Sequence, residues 1–85
     1  MKLDNRISEL IAVGASVTAN CQPCLSYHVG KARELGAEEE EILEALRVGK
    51  IVRKGAADKM DAFAVTLEEN TPSAVPAADG CGCGS

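Results

Sequence analysis

Apolar side chains return at helical intervals along the first seventy positions of this chain, and no stretch alternates strictly between apolar and polar. Leu3, Ile7, Leu10, Ile11, Gly14 and Val17 share one face and predict a helix over about residues 3–17. Asn20 then reads as the N-cap of a second helix, with Pro23 in the first turn, where a missing N–H costs nothing. That helix should end near Leu35, with Gly36 as the residue that closes it. A third helix is expected from about Glu38 to Arg53, its acidic first turn facing the positive end of the helix dipole. Ile42, Leu46 and Gly49 form its inner face. Gly55 marks a break, and a fourth helix over about residues 56–69 presents Met60, Phe63, Ala64 and Leu67. The pattern predicts an all-α fold with no sheet.

Beyond residue 70 the pattern stops. Residues 71–85 contain Pro72, Pro76 and three glycines and end Cys81-Gly82-Cys83-Gly84-Ser85. They read as a flexible tail on a single domain of residues 1–70.

Composition narrows what those helices can be. The hydrophobic share is 46%, yet aromatics are only 2%, so much of the apolar content is small alanine. Large side chains supply most burial energy, at roughly 25 cal/mol per Å². A short, Ala-rich chain would gain burial by pairing with copies of itself, which points to a homo-oligomer. The net charge of −4 argues against nucleic acid as a partner. Of the basic residues, Arg47, Lys50, Arg53, Lys54 and Lys59 gather in the second half. Most read as solvated, with one available to steer an anionic substrate or favour a thiolate. No secretory signal is legible at the start, and no apolar run reaches the roughly 20 residues of a membrane helix. A cytoplasmic protein, with no membrane partner, is therefore expected. In a reducing compartment a Cys-x-x-Cys pair reads as catalytic or metal-binding and not as a staple.

The chemistry concentrates in Cys21-Gln22-Pro23-Cys24-Leu25-Ser26-Tyr27-His28. At about 100° per residue, Cys21, Cys24, Leu25, His28, Val29, Ala32 and Leu35 lie on one stripe. Cys24 and His28 are neighbours at i, i+4. Both cysteines fall in the first turn, where the helix terminus favours the thiolate, the nucleophilic form. An adjacent imidazole can take the thiol proton. Two sulfurs this close can also close a disulfide, so attack by one and resolution by the other gives a complete dithiol cycle. Two other readings compete. The three residues could simply be core, since free cysteine is often buried. Alternatively Cys21, Cys24 and His28, joined by Cys81 or Cys83, could hold a soft metal ion or metalloid. Tyr27 lies off the stripe and reads as structural.

Cys-x-x-Cys-x-x-x-His at the start of a helix resembles the signature of the AhpD-like alkylhydroperoxidases, in the carboxymuconolactone decarboxylase superfamily. The resemblance covers roughly residues 3–69 and includes Leu35-Gly36-Ala37-Glu38-Glu39-Glu40-Glu41-Ile42-Leu43-Glu44-Ala45-Leu46, similar to the family's stretch after the active-site helix. It implies an AhpD-like helical bundle that is an obligate homo-oligomer, a trimer or hexamer, with the hexamer favoured. It also implies thiol-dependent peroxide or disulfide reduction without a cofactor, with a lipoyl or thioredoxin-like protein as reductant. Cys24 would attack and Cys21 resolve. Family members place a glutamate twelve positions before the first cysteine, which here is Glu9. His28 and Glu9 would form a proton relay. Helix position alone leaves open which cysteine attacks, because Cys21 is nearer the dipole end. Periodicity alone puts Glu9 on the polar side of the first helix, as a solvated residue. The chain departs from some members at Pro23, where they carry a second histidine. The decarboxylase branch works without a Cys-x-x-Cys pair, so decarboxylation is not implied. The tail thiols Cys81 and Cys83 are unusual for the family. Cys81 lies twelve positions beyond Glu69, an extended reach of at most ~40 Å, so the tail could meet the Cys21–Cys24 pair as an electron shuttle.

Overall fold

The computed structural model describes residues 2–70, which form three helices and, within that range, no strand. They are α1 (Asn5–Thr18), α2 (Gln22–Glu34) and α3 (Glu39–Glu69). The tail with Cys81 and Cys83 lies outside the described residues.

Each helix start and turn has a local cause. Asp4 caps α1, its Oδ1 accepting the Ile7 N–H at 2.8 Å. At the other end Asn20 takes a left-handed φ of 58°. Its N–H donates to the Val17 carbonyl, and the next N–H, of Cys21, donates to Ser16, each at 3.0 Å. These are the paired bonds of a Schellman closure, with asparagine in the position glycine usually fills. Asn20 therefore ends α1 and is not the N-cap of α2. Cys21 takes that role, and its sulfur accepts the Cys24 N–H. The second turn repeats the motif with Gly36 at φ 92°, where Gly36 and Ala37 donate to Arg33 and Ala32. At the start of α3 the Glu41 carboxylate accepts the Glu38 N–H at 3.0 Å and pairs with Arg6 of α1 at 2.7 Å.

α3 runs unbroken through Gly55, so the expected third and fourth helices are one. A single interior glycine costs only about 1 kcal/mol relative to alanine, too little to end a helix with no proline nearby. The Lys54–Asp58 pair at 2.9 Å also spans it.

α1 is the central element and packs on both other helices, which scarcely touch each other. Val13 and Ala32 are fully enclosed, and Val17, Ala37 and Ile42 are buried. Ala32, Ala37 and Ile42 form the corner where α2 meets α3, with Leu10, Val29 and Leu46 packed around it. α1 and α3 approach closely at Gly14 and Gly49. A Cβ added at Gly49 would run into the Gly14 carbonyl oxygen and come within 2.9 Å of the Val17 Cβ. Thr18 Oγ1 reaches the Gly49 carbonyl at 3.0 Å across this contact. Past Arg53, α3 leaves the body of the protein, and Met60, Phe63, Val65 and Leu67 are exposed.

Candidate active site

The first turn of α2 carries Cys21 and Cys24 joined as a disulfide, with an S–S distance of 2.03 Å. Cys24 is exposed and Cys21 half-buried. The trio does not lie on a buried stripe, because burial on α2 centres on Ala32, further along the helix. Neither thiol is among the buried residues of the described chain. Cys21 Sγ accepts the Cys24 N–H at 3.3 Å, one of the helix-start donors that would otherwise lack a partner.

His28 lies one turn beyond Cys24. Its Nδ1 is 2.6 Å from Glu9 Oε1, which projects from α1. Both side chains are partly shielded, at 29% and 22% exposure, so the contact is neither an open surface pair nor a sealed ion pair. The reading of Glu9 as a freely solvated side chain is replaced by this geometry, because α1 turns its residue-9 face toward α2. With the carboxylate ionised, Nδ1–H donates and Nε2 keeps its lone pair. Tyr27 stands edge-on to the imidazole, ring centres 5.0 Å apart, and is 60% exposed.

On the Cys21 side, a groove of about 400 Å³ lies between the α1–α2 turn and α3. Asn20, Cys21, Leu25, Leu46, Lys50 and Arg53 are among its walls. Arg53 Nη1 holds the turn, donating to Asn20 Oδ1 at 3.0 Å and to the Val17 carbonyl at 3.3 Å. The sequence pattern placed Lys50 and Arg53 in a basic cluster without tying them to Cys21. A signal for that link was available in the asparagine directly before the first cysteine, whose left-handed turn folds Cys21 back toward α3.

Among the described residues, no group of three or more His, Cys, Asp or Glu side chains is arranged to hold a metal ion. The metal alternative draws on Cys81 and Cys83, outside those residues. No described helix is long and apolar enough to cross a membrane.

These features define an all-helical protein with a vicinal dithiol at a helix start and a carboxylate–imidazole pair one turn away. The chain belongs to the carboxymuconolactone decarboxylase family, whose model matches residues 1–68, within the AhpD-like superfamily. It is also similar to "Uncharacterized protein 4 in cox locus" from Paracoccus denitrificans, with 44% identity over 55 residues. That match covers 65% of this chain and 50% of the relative, so the chain spans about half the length of the curated protein it matches. No solved structure matches.

Proposed function

We propose that this protein is a cytoplasmic dithiol oxidoreductase that reduces hydroperoxides or disulfides through Cys21 and Cys24. The observation that carries the reading is the closed Cys21–Cys24 pair at the start of α2, followed by a histidine bound to Glu9. In the reducing direction His28 Nε2 takes the Cys24 proton. The Cys24 thiolate attacks one peroxide oxygen; an S–O bond forms, the O–O bond breaks, and the alkoxide takes a proton to leave as alcohol. Cys21 then attacks the oxidised Cys24 sulfur, forms the disulfide and displaces hydroxide, which leaves as water. Glu9 is a positioning residue: it holds the imidazole tautomer and offsets the charge gained on protonation. Pro23 has no proton to give, so proton handling rests on His28. Exposure of Cys24 supports it as the sulfur that meets the oxidant. A thiol protein of lipoyl or thioredoxin type would return the electrons.

The protein works as a homo-oligomer in this reading, with a hexamer favoured. An apolar groove between α1 and α3, walled in part by Ile7, Ile11, Val48 and Val52, supports this, as do the exposed apolar residues of outer α3. A second copy is the occupant that a chain with so few large buried side chains needs.

The test is thiol counting on reduced protein after one equivalent of hydroperoxide. Two thiols per chain should be lost, with a Cys21–Cys24 link in the peptide map. Cys24→Ser should abolish the reaction; Cys81→Ser and Cys83→Ser should at most slow it. One equivalent of tightly held zinc per chain, with no peroxide-dependent oxidation, would overturn the reading.

A further inference from the structure

Two side-chain ties flank the dithiol. Behind Cys24, His28 is bound to Glu9 of α1. Ahead of Cys21, Arg53 of α3 reaches the turn, its Nη1 donating to Asn20 Oδ1 at 3.0 Å and to the Val17 carbonyl at 3.3 Å. The first tie belongs to the proton relay; the second has no part in the chemistry written above. Packing does little at this end of the helix: Ala32 is the buried residue of α2, and Cys21 and Leu25 are only half-buried. α2 and α3 scarcely touch, so Arg53 fastens the Cys21 turn to α3 where the two helices themselves do not meet.

Arg53 holds the residue that sets Cys21 in place. Asn20 has a left-handed φ of 58°, and that turn makes Cys21 the cap of α2, with its N–H on the Ser16 carbonyl and its sulfur accepting the Cys24 N–H. Both acceptors of Arg53 are neutral oxygens, so these bonds are not a surface ion pair. Closing a disulfide costs the freedom of two side chains and of the backbone that carries them. A backbone already fastened at residue 20 has less freedom to lose on closure.

We infer that Arg53 is a positioning residue for the dithiol, shifting the Cys21–Cys24 pair toward its closed form by clamping the turn before Cys21. The inference rests on the dithiol reading above and adds a residue that sets the balance between the two states of the pair. Glutathione serves as the redox buffer that measures this balance. One glutathione thiolate attacks a sulfur of the pair, the Cys21–Cys24 bond breaks, and a mixed disulfide forms. A second attacks the glutathione sulfur of that mixed disulfide and releases the protein thiolate. Two glutathione thiols become one glutathione disulfide, and their protons go to the two protein thiolates. Coupling is reciprocal: a clamp that favours the closed pair is strengthened by the closed pair to the same degree. Loss of Arg53 should therefore lower the Tm of the oxidised protein more than that of the reduced protein. The charge of Arg53 acts with the opposite sign, because a cation near a thiolate favours the open, reduced pair.

The test equilibrates the full-length protein with reduced and oxidised glutathione, then quenches and alkylates it. Mass analysis reads the tryptic peptide of residues 7–31, which carries Cys21 and Cys24 but neither tail thiol. Arg53→Gln should make the pair about fivefold easier to open, the low end of such couplings because Arg53 is exposed. That is about 20 mV for a two-electron couple. Asn20→Gly keeps the left-handed turn and the Arg53 charge but removes one of the two bonds, and should shift the equilibrium the same way by about twofold. Lys59→Gln, the same charge change further along α3, should leave it unaltered. Circular dichroism checks folding and gives the Tm of both redox forms at one protein concentration; if Arg53→Gln does not fold, Asn20→Gly carries the test. Equal Tm losses in the two forms, with an unshifted equilibrium, would make Arg53 a structural tie only and overturn the inference. A shift toward the closed pair in Arg53→Gln, with none in Asn20→Gly, would assign it a charge role and overturn the inference too. Either result leaves the dithiol reading intact, whereas a wild-type pair that opens at no glutathione ratio would refute that reading as well.

Discussion

Replacing Gly49 by alanine tests the contact that fixes α3 on α1, and hence the wall that Lys50 and Arg53 give the Cys21 groove. The new Cβ would collide with the Gly14 carbonyl oxygen and stand 2.9 Å from Val17 Cβ. Both obstacles are rigid: one is backbone, and the other belongs to a buried side chain. Overpacking of this kind costs about 1–3 kcal/mol. Alanine returns up to about 1 kcal/mol of helix propensity, so a net loss of roughly 1–2 kcal/mol is expected. In a domain of this size that lowers Tm by about 4–15 °C. Gly55 provides the matched control on the same helix. A Cβ there meets nothing within 4 Å, so only the propensity gain remains and Gly55→Ala should raise Tm by a few degrees. Gly14→Ala should fall between them, because its Cβ would sit 3.1 Å from the Ala45 carbonyl oxygen, a gap that small shifts can open. The assay is thermal unfolding by circular dichroism at fixed protein concentration, since association would make Tm concentration-dependent. If Gly49→Ala proved as stable as Gly55→Ala, the tight α1–α3 contact described above would be wrong.

The remaining predictions concern the site and the charges around it. Glu9→Gln keeps the size of the side chain but removes its charge, and should slow peroxide-driven loss of the Cys24 thiol about ten- to hundredfold. Its pH–rate profile should shift while Tm changes little; an unaltered profile would remove Glu9 from the relay. On the reduced protein, limiting iodoacetamide should alkylate Cys24 before Cys21, as read by peptide mass. The reverse order would count against Cys24 as the attacking sulfur. The Glu41 carboxyl lies below its ordinary value of 4.5, because the Glu38 N–H and then Arg6 favour the anion. Its stabilisation is complete above that value and is lost as the pH falls through the lowered one. Tm should therefore be insensitive to Glu41 near neutrality and drop on the acid side, less steeply in Arg6→Gln. Glu39, lowered by Arg33, should add to the same acid limb.

Helix positions were legible in the chain wherever a face repeats, and Gly36 was legible as a closing residue because its backbone freedom suits the left-handed turn. What misled was punctuation with two meanings. Gly55 looks like a break, but nothing about one glycine ends a helix when neither proline nor a competing cap follows. Asn20 is equally good as an N-cap and as a left-handed closing residue, and only the path of the chain decides between them. Periodicity places Cys21 and Cys24 on the same stripe as Ala32, yet a stripe is buried only where a neighbouring helix covers it. Glu9 shows the converse. One-dimensional pattern puts it with polar residues, and its place 2.6 Å from His28 depends on how α1 turns against α2. The spacing to Cys21 carried that information through the family resemblance and not through hydrophobicity.

The asparagine turn also explains why two cysteines three positions apart can have unlike surroundings. A helix begun by a side-chain oxygen at residue 20 would have put both thiols inside the first turn, on one stripe. Because Asn20 instead closes α1, Cys21 becomes the cap itself, bonded through its N–H to Ser16 and through its sulfur to the Cys24 N–H. It is thereby fixed to the end of α1, next to the stretch of α3 that Arg53 ties to the same turn. Cys24, one turn along, has no such tether and stays open to solvent on the side of His28. The two sulfurs are thereby reached from different sides, Cys21 from the groove and Cys24 from solvent. Asn20→Gly would keep the left-handed turn while removing one of the two bonds that Arg53 makes to it, leaving the bond to the Val17 carbonyl, and so separates the two contributions of that residue to the groove.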